Sequence, residues 1–193
     1  MSEFWDREAA TFDDEPDHGL RDPGVRAAWG ALLERLLPPA PAGVADLGCG
    51  TGSLSVLLAA AGYRVRGVDV AGEMVTAARA KAERAGVDIE FVQGDASAPP
   101  YAPGSVDVVL ARHVLWALPD PVEALARWTE LLRPGGRLVL IEGRWSTGSG
   151  IPADHCQELV LEHRREALVE RLDDPALWGR PIDDERYALL SRE

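Results

Sequence analysis

The feature that most constrains this chain is a run of closely spaced glycines, DLGCGTG at 46–52, placed between an apolar segment and a helical one. Residues 43–47 are typical of a short buried strand, and residues 54–61, followed by Gly62, are typical of an apolar helix. Glycines at the carboxyl end of a parallel strand let the backbone approach a ligand closely. The run therefore predicts a ligand site, and a nucleoside-containing cofactor is the first hypothesis.

The same alternation of strand and helix continues along the chain. Apolar runs predict strands at 63–70, 88–92, 106–111 and 137–142, and helical patterns lie at 73–85, 121–132 and 153–166. Two last strands near 168–172 and 186–191 suggest a hairpin-like ending. The alternation predicts an α/β fold, a Rossmann-like doubly wound and mainly parallel sheet with helices on both faces.

The length of 193 residues favours one domain, 1–193, with three parts. Residues 1–37 are predicted to form an N-terminal flap and a helix, residues 43–142 the cofactor-binding core, and residues 143–193 a loop, a helix and the final pair of strands. The flap assignment rests on residues 4–20, which are polar yet carry three aromatic side chains. The Gly/Ser-rich stretch 143–152 predicts a mobile loop.

The charge balance limits the partners that we expect. With 20 Lys+Arg against 32 Asp+Glu, the net charge of −12 disfavours nucleic acid and anionic membrane surfaces. No apolar run approaches the roughly 18 residues of a membrane helix, so no membrane partner is expected. The acidic start does not resemble a targeting signal, and two distant cysteines, Cys49 and Cys156, do not form a disulfide framework. These features predict a cytoplasmic protein.

The spacing of the glycines separates the candidate cofactors. A dinucleotide turn has the pattern G-x-G-x-x-G, whereas here the glycines lie at 48, 50 and 52 and are followed by Ser53. An NAD-dependent oxidoreductase is therefore the weaker alternative, and no lysine follows to make a phosphate-binding loop. Asp46 lies at the start of the turn. A carboxylate there would repel the negative charge of a pyrophosphate and would attract a cationic ligand such as S-adenosylmethionine.

Two further carboxylates follow the next two predicted strands. Asp69 lies 23 residues after Asp46, a position from which it can accept hydrogen bonds from both ribose hydroxyls. Asp95 can accept the adenine amino proton, while the next backbone N–H, that of Ala96, can donate to the ring. Three carboxylates at three successive strand ends predict S-adenosylmethionine as the cofactor.

Five stretches together resemble the class I S-adenosylmethionine-dependent methyltransferases, in particular the small-molecule branch called type 11. They are VADLGCGTGSLS (44–55), VRGVDVAGEMVTAAR (65–79), FVQGDA (91–96), SVDVVLARHVLWALPDP (105–121) and LLRPGGRLVLIE (131–142). The resemblance implies a seven-stranded sheet whose last strand is antiparallel. It also implies methyl transfer to the O, N or C atom of a small molecule, with S-adenosylhomocysteine as the product.

The resemblance further implies how the cofactor would lie. Asp46 would orient the methionine amino group, Gly48 and Gly50 would line the methionine part, and the carbonyl of Ala111 would face the ammonium group. Asp69 would hold the ribose. The adenine would lie against Val70, Met74, Asp95 and Ala96. The remaining residues assigned to cofactor binding in the turn are Cys49 and Gly52. One departure is Ala71-Gly72, where the family often has a serine helix cap.

The acceptor side is less constrained by the sequence. Methyl transfer is an in-line displacement, which positioning and exclusion of water can accelerate without a covalent catalyst. His113, just after the fourth strand, is the first candidate for a base and His18 in the flap is the second; a polar strand cap is the alternative for His113. The residues assigned to the substrate pocket are Trp5, Phe12, Arg112, Trp116 and Trp145. Arg112 has two open interpretations, an acidic substrate or a structural pair with Asp46 or Glu142.

Two further interpretations concern a metal site and a protein without catalytic activity. His155, Cys156 and His163 include possible metal ligands, but the adjacent His155 and Cys156 side chains diverge on a helix, so no metal site is predicted. The motifs build a cofactor site and not an acceptor site, so a non-catalytic protein that binds S-adenosylmethionine or S-adenosylhomocysteine is the second functional hypothesis.

Overall fold

The structure is a computed structural model that describes residues 2–192. Its seven strands form one sheet in the order β3-β2-β1-β4-β5-β7-β6. The strands are β1 Gly43–Leu47, β2 Arg64–Asp69, β3 Glu90–Gln93, β4 Val106–Arg112, β5 Leu132–Arg144, β6 Leu168–Arg171 and β7 Glu185–Ser191. Only β7 runs antiparallel to its neighbours, β5 and β6, among the described strands. The predicted mainly parallel sheet with an antiparallel last strand is confirmed.

Helices cover both faces of this sheet. They are α1 Ser2–Glu8, α2 Pro16–Gly19, α3 Pro23–Leu36, α4 Ser53–Ala60, α5 Gly72–Ala85, α6 Pro121–Glu130, α7 Ala153–Leu161 and α8 Pro175–Trp178. One face packs around Trp128 of α6, and the other around Trp29 of α3; both side chains are fully buried. Within residues 2–192, no helix has both the length and the apolar character needed to cross a bilayer.

Several boundaries differ from the predicted ones, and the largest differences lie in β5 and α7. Strand β5 begins at Leu132 and not at 137, since Leu132 pairs with β4 before a shift in register. It also continues to Arg144, so the predicted loop begins late, and residues 145–149 form a turn in which the Trp145 N–H donates to the Ser149 carbonyl at 3.0 Å. Helix α7 ends at Leu161 and not at 166.

Two of the ties between the flap, residues 4–20, and the core lie at α5. Asp6 Oδ1 accepts a hydrogen bond of 3.0 Å from the Glu73 N–H, so the flap supplies the cap that Ala71-Gly72 lacks at the start of α5. The second tie is Lys81, the one lysine of the chain, whose Nζ lies 2.8 Å from Asp13 Oδ2. Lys81 also donates to the hydroxyls of Thr51 and Ser53 at 3.0 and 2.6 Å. The flap is therefore fixed to both α4 and α5.

Candidate active site

A cavity of about 590 Å³ lies between the flap and the carboxyl ends of the parallel strands. It has two parts of different chemistry, which we name by their side chains. The carboxylate half is lined by Asp46, Gly48, Cys49, Gly50, Asp69, Val70, Met74, Asp95 and Ala96. The aromatic half is lined by Trp5, Phe12, Asp17, His18, Arg112, His113, Trp116, Trp145 and Arg186. All but two of the predicted site residues, Gly52 and Ala111, therefore line one cavity.

The glycine turn brings its backbone to the cavity wall. Gly48 and Gly50 have φ values of +69° and +54°, a region that favours glycine. A Cβ on Gly48 would lie 2.4 Å from the Val114 side chain, so no larger residue fits there. Gly52 has a different role, because its Cβ would lie 2.8 Å from the Cβ of Ala78. It allows α4 to pack closely on α5 and does not line the cavity.

The two buried carboxylates are held in place by neighbouring donors. Asp46 accepts a hydrogen bond of 2.5 Å from the Ser55 hydroxyl, and burial raises the pKa of Asp46 to about 6. Asp69 accepts one hydrogen bond from the Ala71 N–H at 3.0 Å and one from the Gly50 N–H at 2.8 Å. A carboxylate offers about four acceptor positions, so Asp69 keeps lone pairs for hydroxyl groups of a ligand.

The nucleoside end of the carboxylate half is more open. Asp95 is exposed, and its Oδ1 accepts a hydrogen bond of 2.8 Å from the Ser97 N–H, which fixes the turn that follows β3. Met74 is buried and Val70 half-buried beside it, forming an apolar wall.

Burial raises the pKa of Cys49 well above its usual value, so its thiol stays protonated. Ala111 lies in β4 between β1 and β5 and does not line the cavity.

The residues of the carboxylate half fit S-adenosylmethionine on this chemistry. A buried carboxylate, Asp46, suits a cationic sulfonium or ammonium group, and Asp69 suits ribose hydroxyls. The members of this half are acidic, apolar or glycine residues, so the half offers no cation for a pyrophosphate. The geometry agrees with the prediction from the glycine spacing.

Ring contacts build the aromatic half from distant parts of the chain. Phe12 of the flap stacks on His18 with ring centroids 4.2 Å apart and planes at 14°. The ring of Trp145, from the turn after β5, lies edge-on to His113 at 5.0 Å and to Trp116 at 5.3 Å. Arg186 of β7 lies over the Trp145 ring at 5.9 Å. The half can therefore hold a flat, largely apolar molecule.

His113 has an unusual backbone and an unsatisfied ring nitrogen. Its φ is +59°, and its backbone N–H donates to the Ile141 carbonyl at 2.8 Å. Its Nε2 is buried and has no hydrogen-bond partner within residues 2–192, so this nitrogen does not cap the strand. Burial and the nearby Arg112 guanidinium lower the pKa of His113 well below its usual value. The ring is therefore a neutral imidazole at neutral pH.

His18 and Arg112 are both organised around Asp17, which the sequence did not single out. His18 Nε2 lies 3.5 Å from Asp17 Oδ2, and burial lowers the pKa of His18. Arg112 donates to the carbonyl oxygen of Asp17 and lies over the Trp29 ring at 5.1 Å. The expected pair of Arg112 with Asp46 or Glu142 is not among the ion pairs of the described residues, because its guanidinium holds α2 against β4 instead.

Glu142 lies inside β5 and accepts hydrogen bonds from the backbone that follows β4. It is fully buried, and its Oε1 accepts hydrogen bonds from the Val114 and Leu115 N–H groups at 2.9 and 2.8 Å. Burial raises the pKa of Glu142 to about 8. The carboxyl group does not line the cavity and instead fixes the backbone that follows His113.

The possible metal ligands that come together in the structure are not those that lie close together in the sequence. His155 is exposed and lies 3.7 Å from Glu158, and it forms no ligand group with Cys156 and His163. Within the described part of the chain, one group of three possible ligands comes together: Asp17, His18 and His113, whose ligand atoms lie within 4.8 Å of one another. Residue spacing could not reveal this group, because the flap brings together residues that are far apart in sequence.

Several other residues that line the cavity were missed. The polar ones, besides Asp17, are Glu15, Thr147, Ser149, Arg180 and Arg186, and none of these belongs to a quoted stretch. The apolar ones, Leu54, Val114, Ala117, Leu118 and Pro119, lie within the stretches 44–55 and 105–121, which gave them no role in the site. Lys81 is a similar case, since its role in fixing the flap depends on packing between α5 and the N-terminal segment.

Comparisons with known proteins agree with this fold. A family model described as a methyltransferase domain matches residues 45–140. A 27-O-demethylrifamycin SV methyltransferase from Amycolatopsis mediterranei is 33% identical over 92% of this chain and 70% of that protein. A demethylmenaquinone methyltransferase from Thermus thermophilus is 39% identical over 57% of this chain and 51% of that protein. A ubiquinone biosynthesis O-methyltransferase from Xanthomonas axonopodis is 38% identical over 71% of this chain and 54% of that protein.

Solved structures share the fold at low sequence identity. The [4+2]-cyclase SpnF superposes with a TM-score of 0.75 and 20% identity, covering 86% of this chain and 80% of the cyclase. A possible histamine N-methyltransferase from Thermotoga maritima has a TM-score of 0.74 and 17% identity, covering 100% of this chain and 99% of that one. The chain belongs to the class I S-adenosylmethionine-dependent methyltransferases, in the type 11 branch. It spans about half the length of two of the curated relatives it matches, at 51% and 54%.

Proposed function

We propose that this protein transfers the methyl group of S-adenosylmethionine to a small-molecule acceptor held in the aromatic half of the cavity. The observation that carries the proposal is the continuity of the cavity: the buried Asp46 and Asp69 line the same space as His113 and Trp145. A cofactor in the carboxylate half and an acceptor in the aromatic half would then meet without crossing a wall.

S-adenosylmethionine supplies an activated methyl group on a sulfonium when it is bound. In this proposal Asp46 orients the ammonium end of the cofactor, and Asp69 holds the ribose hydroxyls with the lone pairs that Gly50 and Ala71 leave free. Val70 and Met74 form the apolar wall for the adenine. These contacts fix the position of the reacting end, which is the main requirement of an in-line displacement.

On the acceptor side, we infer that the chain works by positioning, water exclusion and proton acceptance. The rings of Trp116 and Trp145 would hold a flat molecule, and the flap residues Trp5 and Phe12 would cover it. His113 is the proposed base, because its Nε2 is buried, neutral and without a partner. His18, which stacks on Phe12, is the second proton acceptor.

The acceptor atom in this proposal is a hydroxyl oxygen. Its support is chemical: an imidazole base assists a hydroxyl, which has to lose its proton as the new bond forms. Two of the relatives are named for O-methyl chemistry, the ubiquinone biosynthesis O-methyltransferase and the 27-O-demethylrifamycin SV methyltransferase. A hydroxylated ring compound is therefore the first class to test, ahead of amines and carbon acids.

The two free cysteines, Cys49 and Cys156, support a cytoplasmic location as part of the same proposal.

The first experiment is calorimetric titration of the whole chain with S-adenosylmethionine, S-adenosylhomocysteine and NADH in one buffer. We expect both sulfur nucleosides to bind and NADH to be silent; binding of NADH alone would overturn the cofactor assignment. The second experiment measures transfer of a labelled methyl group to a panel of phenols, quinols, amines and carbon acids.

Transfer to a phenol or quinol supports the full proposal, and transfer only to nitrogen or carbon acceptors supports methyl transfer but rejects the oxygen assignment. Cofactor binding without transfer to any acceptor would favour the non-catalytic alternative. That alternative has a structural reason to be tested, because the fold is shared by a protein named as a cyclase.

A further inference from the structure

We propose that Asp17, His18 and His113 bind one divalent transition-metal ion at the polar end of the aromatic half. Each residue offers one ligand atom, and the three atoms lie within 4.8 Å of one another. All three residues line the cavity, so an ion can reach them. This metal site is a property of the chain beyond methyl transfer, and its existence does not depend on the identity of an acceptor.

The ligand atoms are available for an ion. His113 Nε2 is buried and has no hydrogen-bond partner within residues 2–192. The side chain of Asp17 is only 9% exposed, and its carboxylate accepts no hydrogen bond from the described residues; its ionic neighbour is His18 Nε2 at 3.5 Å. Burying an imidazole nitrogen without a hydrogen bond is costly, and coordination of His113 Nε2 to an ion would offset that cost.

The backbone also holds these residues in place from both sides. Within the described chain, two non-glycine residues have positive φ, Leu20 at 49° and His113 at 59°. Leu20 caps α2, the short helix that carries Asp17 and His18, while His113 is itself the third ligand. Strained backbone of this kind is maintained where the surrounding structure requires a particular side-chain position. Arg112 adds to this by donating to the Asp17 carbonyl.

The donor set selects the class of ion. Two imidazole nitrogens and one carboxylate oxygen suit Zn²⁺, Fe²⁺ or Co²⁺, whereas Mg²⁺ and Ca²⁺ prefer oxygen ligands alone. The 3.5 Å between Asp17 Oδ2 and His18 Nε2 is close to the ligand separation of roughly 3.4 Å in a tetrahedral zinc site with bonds of about 2.1 Å. The ligand atoms lie within 4.8 Å of one another, and a separation at that limit closes to roughly 3.4 Å when a histidine ring moves by roughly 1.4 Å.

An ion at this place would have two consequences for the molecule. It would link the flap to the core, because Asp17 and His18 belong to the flap and His113 follows β4. Three protein ligands would also leave a coordination position for water or for an oxygen of a bound molecule, as in catalytic zinc sites. The ion would take up the imidazole lone pair, so metal-loaded and metal-free protein would handle an acceptor hydroxyl differently.

The test is calorimetric titration of the whole chain with Zn²⁺ in the presence of excess Mg²⁺. We expect one Zn²⁺ per chain with no competition from Mg²⁺. The variants His113→Asn, His18→Gln and Asp17→Asn should each weaken Zn²⁺ binding at least tenfold, roughly the smallest loss seen when a metal site is disturbed. Asparagine is chosen at 113 because it tolerates the positive φ.

The matched controls are His155→Ala and His163→Ala, which remove the other two histidines and should leave Zn²⁺ binding unchanged. Absence of Zn²⁺ binding to the wild-type chain would overturn the proposal, as would binding that is lost in a control variant and retained in the Asp17, His18 and His113 variants. A second measurement uses the wild-type chain and does not depend on how the variants fold. Co²⁺ should shift the ring-proton resonances of His18 and His113 in the NMR spectrum, and a shift confined to His155 and His163 would reject the site.

Discussion

The carboxylate half and the aromatic half of the cavity are built in different ways. In the carboxylate half, Asp46 and Asp69 stand at the ends of adjacent parallel strands and are held by donors close to them in the chain, Ser55, Gly50 and Ala71. In the aromatic half, side chains from the flap, the end of β4, the turn after β5 and β7 meet through ring contacts. The sheet places the two carboxylates of the carboxylate half side by side, whereas the aromatic half brings together side chains from four separate parts of the chain.

This difference predicts that the two halves respond separately to substitution. The carboxylate half should lose ligand affinity without a large change in the flap. The aromatic half should respond to residues that hold the flap and the backbone after β4, even when those residues do not line the cavity. Four predictions test this separation.

The largest effect should come from Asp69→Ala in the carboxylate half. Hydrogen bonds to a charged group contribute about 1.5 to 3 kcal/mol each, so the loss of two ribose contacts should weaken S-adenosylmethionine binding by about a thousandfold. Calorimetry measures this dissociation constant. The control is Asp88→Ala, an exposed acidic residue before β3, which should change it less than twofold. If both variants bind equally well, Asp69 does not hold the cofactor.

A second prediction concerns Glu142, which supports the aromatic half from beneath. Burial raises its pKa to about 8 from a usual value of 4.5, so the folded chain keeps a proton that the unfolded chain has already lost. The unfolded state therefore binds fewer protons, and the free energy of unfolding falls as pH rises through this window. We expect a fall of about 2 kcal/mol from this group between pH 6 and pH 8.

Glu142→Gln removes the titrating group and should remove that part of the pH dependence. Urea unfolding at pH 6 and pH 8 measures it, with Glu158→Gln as the control, since the Glu158 side chain is 78% exposed. Cys156 and Tyr187 face the same buried region, but burial raises the pKa of both thiol and phenol, to about 12 for Cys156, so neither titrates in this range. An unchanged pH dependence in Glu142→Gln would mean that the carboxyl group is already ionised in the folded chain.

A third, smaller effect is expected from Lys81→Met, which removes one of the two ties between the flap and α5. Without the ammonium group, Asp13 loses its ionic partner, and the flap should open more often. We expect cleavage after Arg7 by an arginine-specific protease to become about tenfold faster, equivalent to about 1.4 kcal/mol. Arg84→Met, in the last turn of the same helix, is the control. Equal cleavage rates in the two variants would show that Lys81 does not hold the flap.

The smallest effect should come from Trp145→Ala in the aromatic half. The loss of one ring wall, worth about 1 kcal/mol, should raise KM about fivefold for an acceptor found in the transfer screen. The dissociation constant of S-adenosylmethionine should change less than twofold. The control is Phe4→Ala, which removes a half-exposed flap ring that does not line the cavity. A parallel loss of cofactor affinity in Trp145→Ala would show that the two halves are not separable.

The sequence predicted much of the fold because the signals for it are local. The strand predicted at 43–47 has these bounds in the structure, and helix α4, Ser53–Ala60, lies within one residue of the predicted 54–61. The predicted boundaries were less accurate where they depend on strand pairing. Strand β5 begins five residues earlier than predicted, at Leu132, because this residue pairs with Val106 of β4. Local patterns carry no information about such partners.

The cofactor side of the cavity was predictable for a related reason. Parallel strands bring their carboxyl ends to one edge of the sheet, so a carboxylate just after each strand is placed by topology as soon as the strands are recognised. This reasoning found Asp46, Asp69 and Asp95 in the cavity lining. The resemblance also assigned Gly52 and Ala111 to the cofactor, but Gly52 lies where α4 packs on α5, Ala111 lies within β4, and neither lines the cavity.

The aromatic half could be anticipated only in part. The sequence assigned Trp5, Phe12 and Trp145 to the substrate pocket, but it gave no reason to connect Asp17 with Arg112 or Lys81 with the flap. Their contacts span 95 and about 68 residues of chain, and no spacing rule reaches that far. The amino-acid sequence by itself determined the individual strand and helix segments and the carboxylates at the ends of the strands, because both follow from short-range periodicity. The tertiary structure alone decided which ring, which carboxylate and which imidazole share the acceptor side, because those contacts depend on how the two ends of the chain fold back onto the sheet.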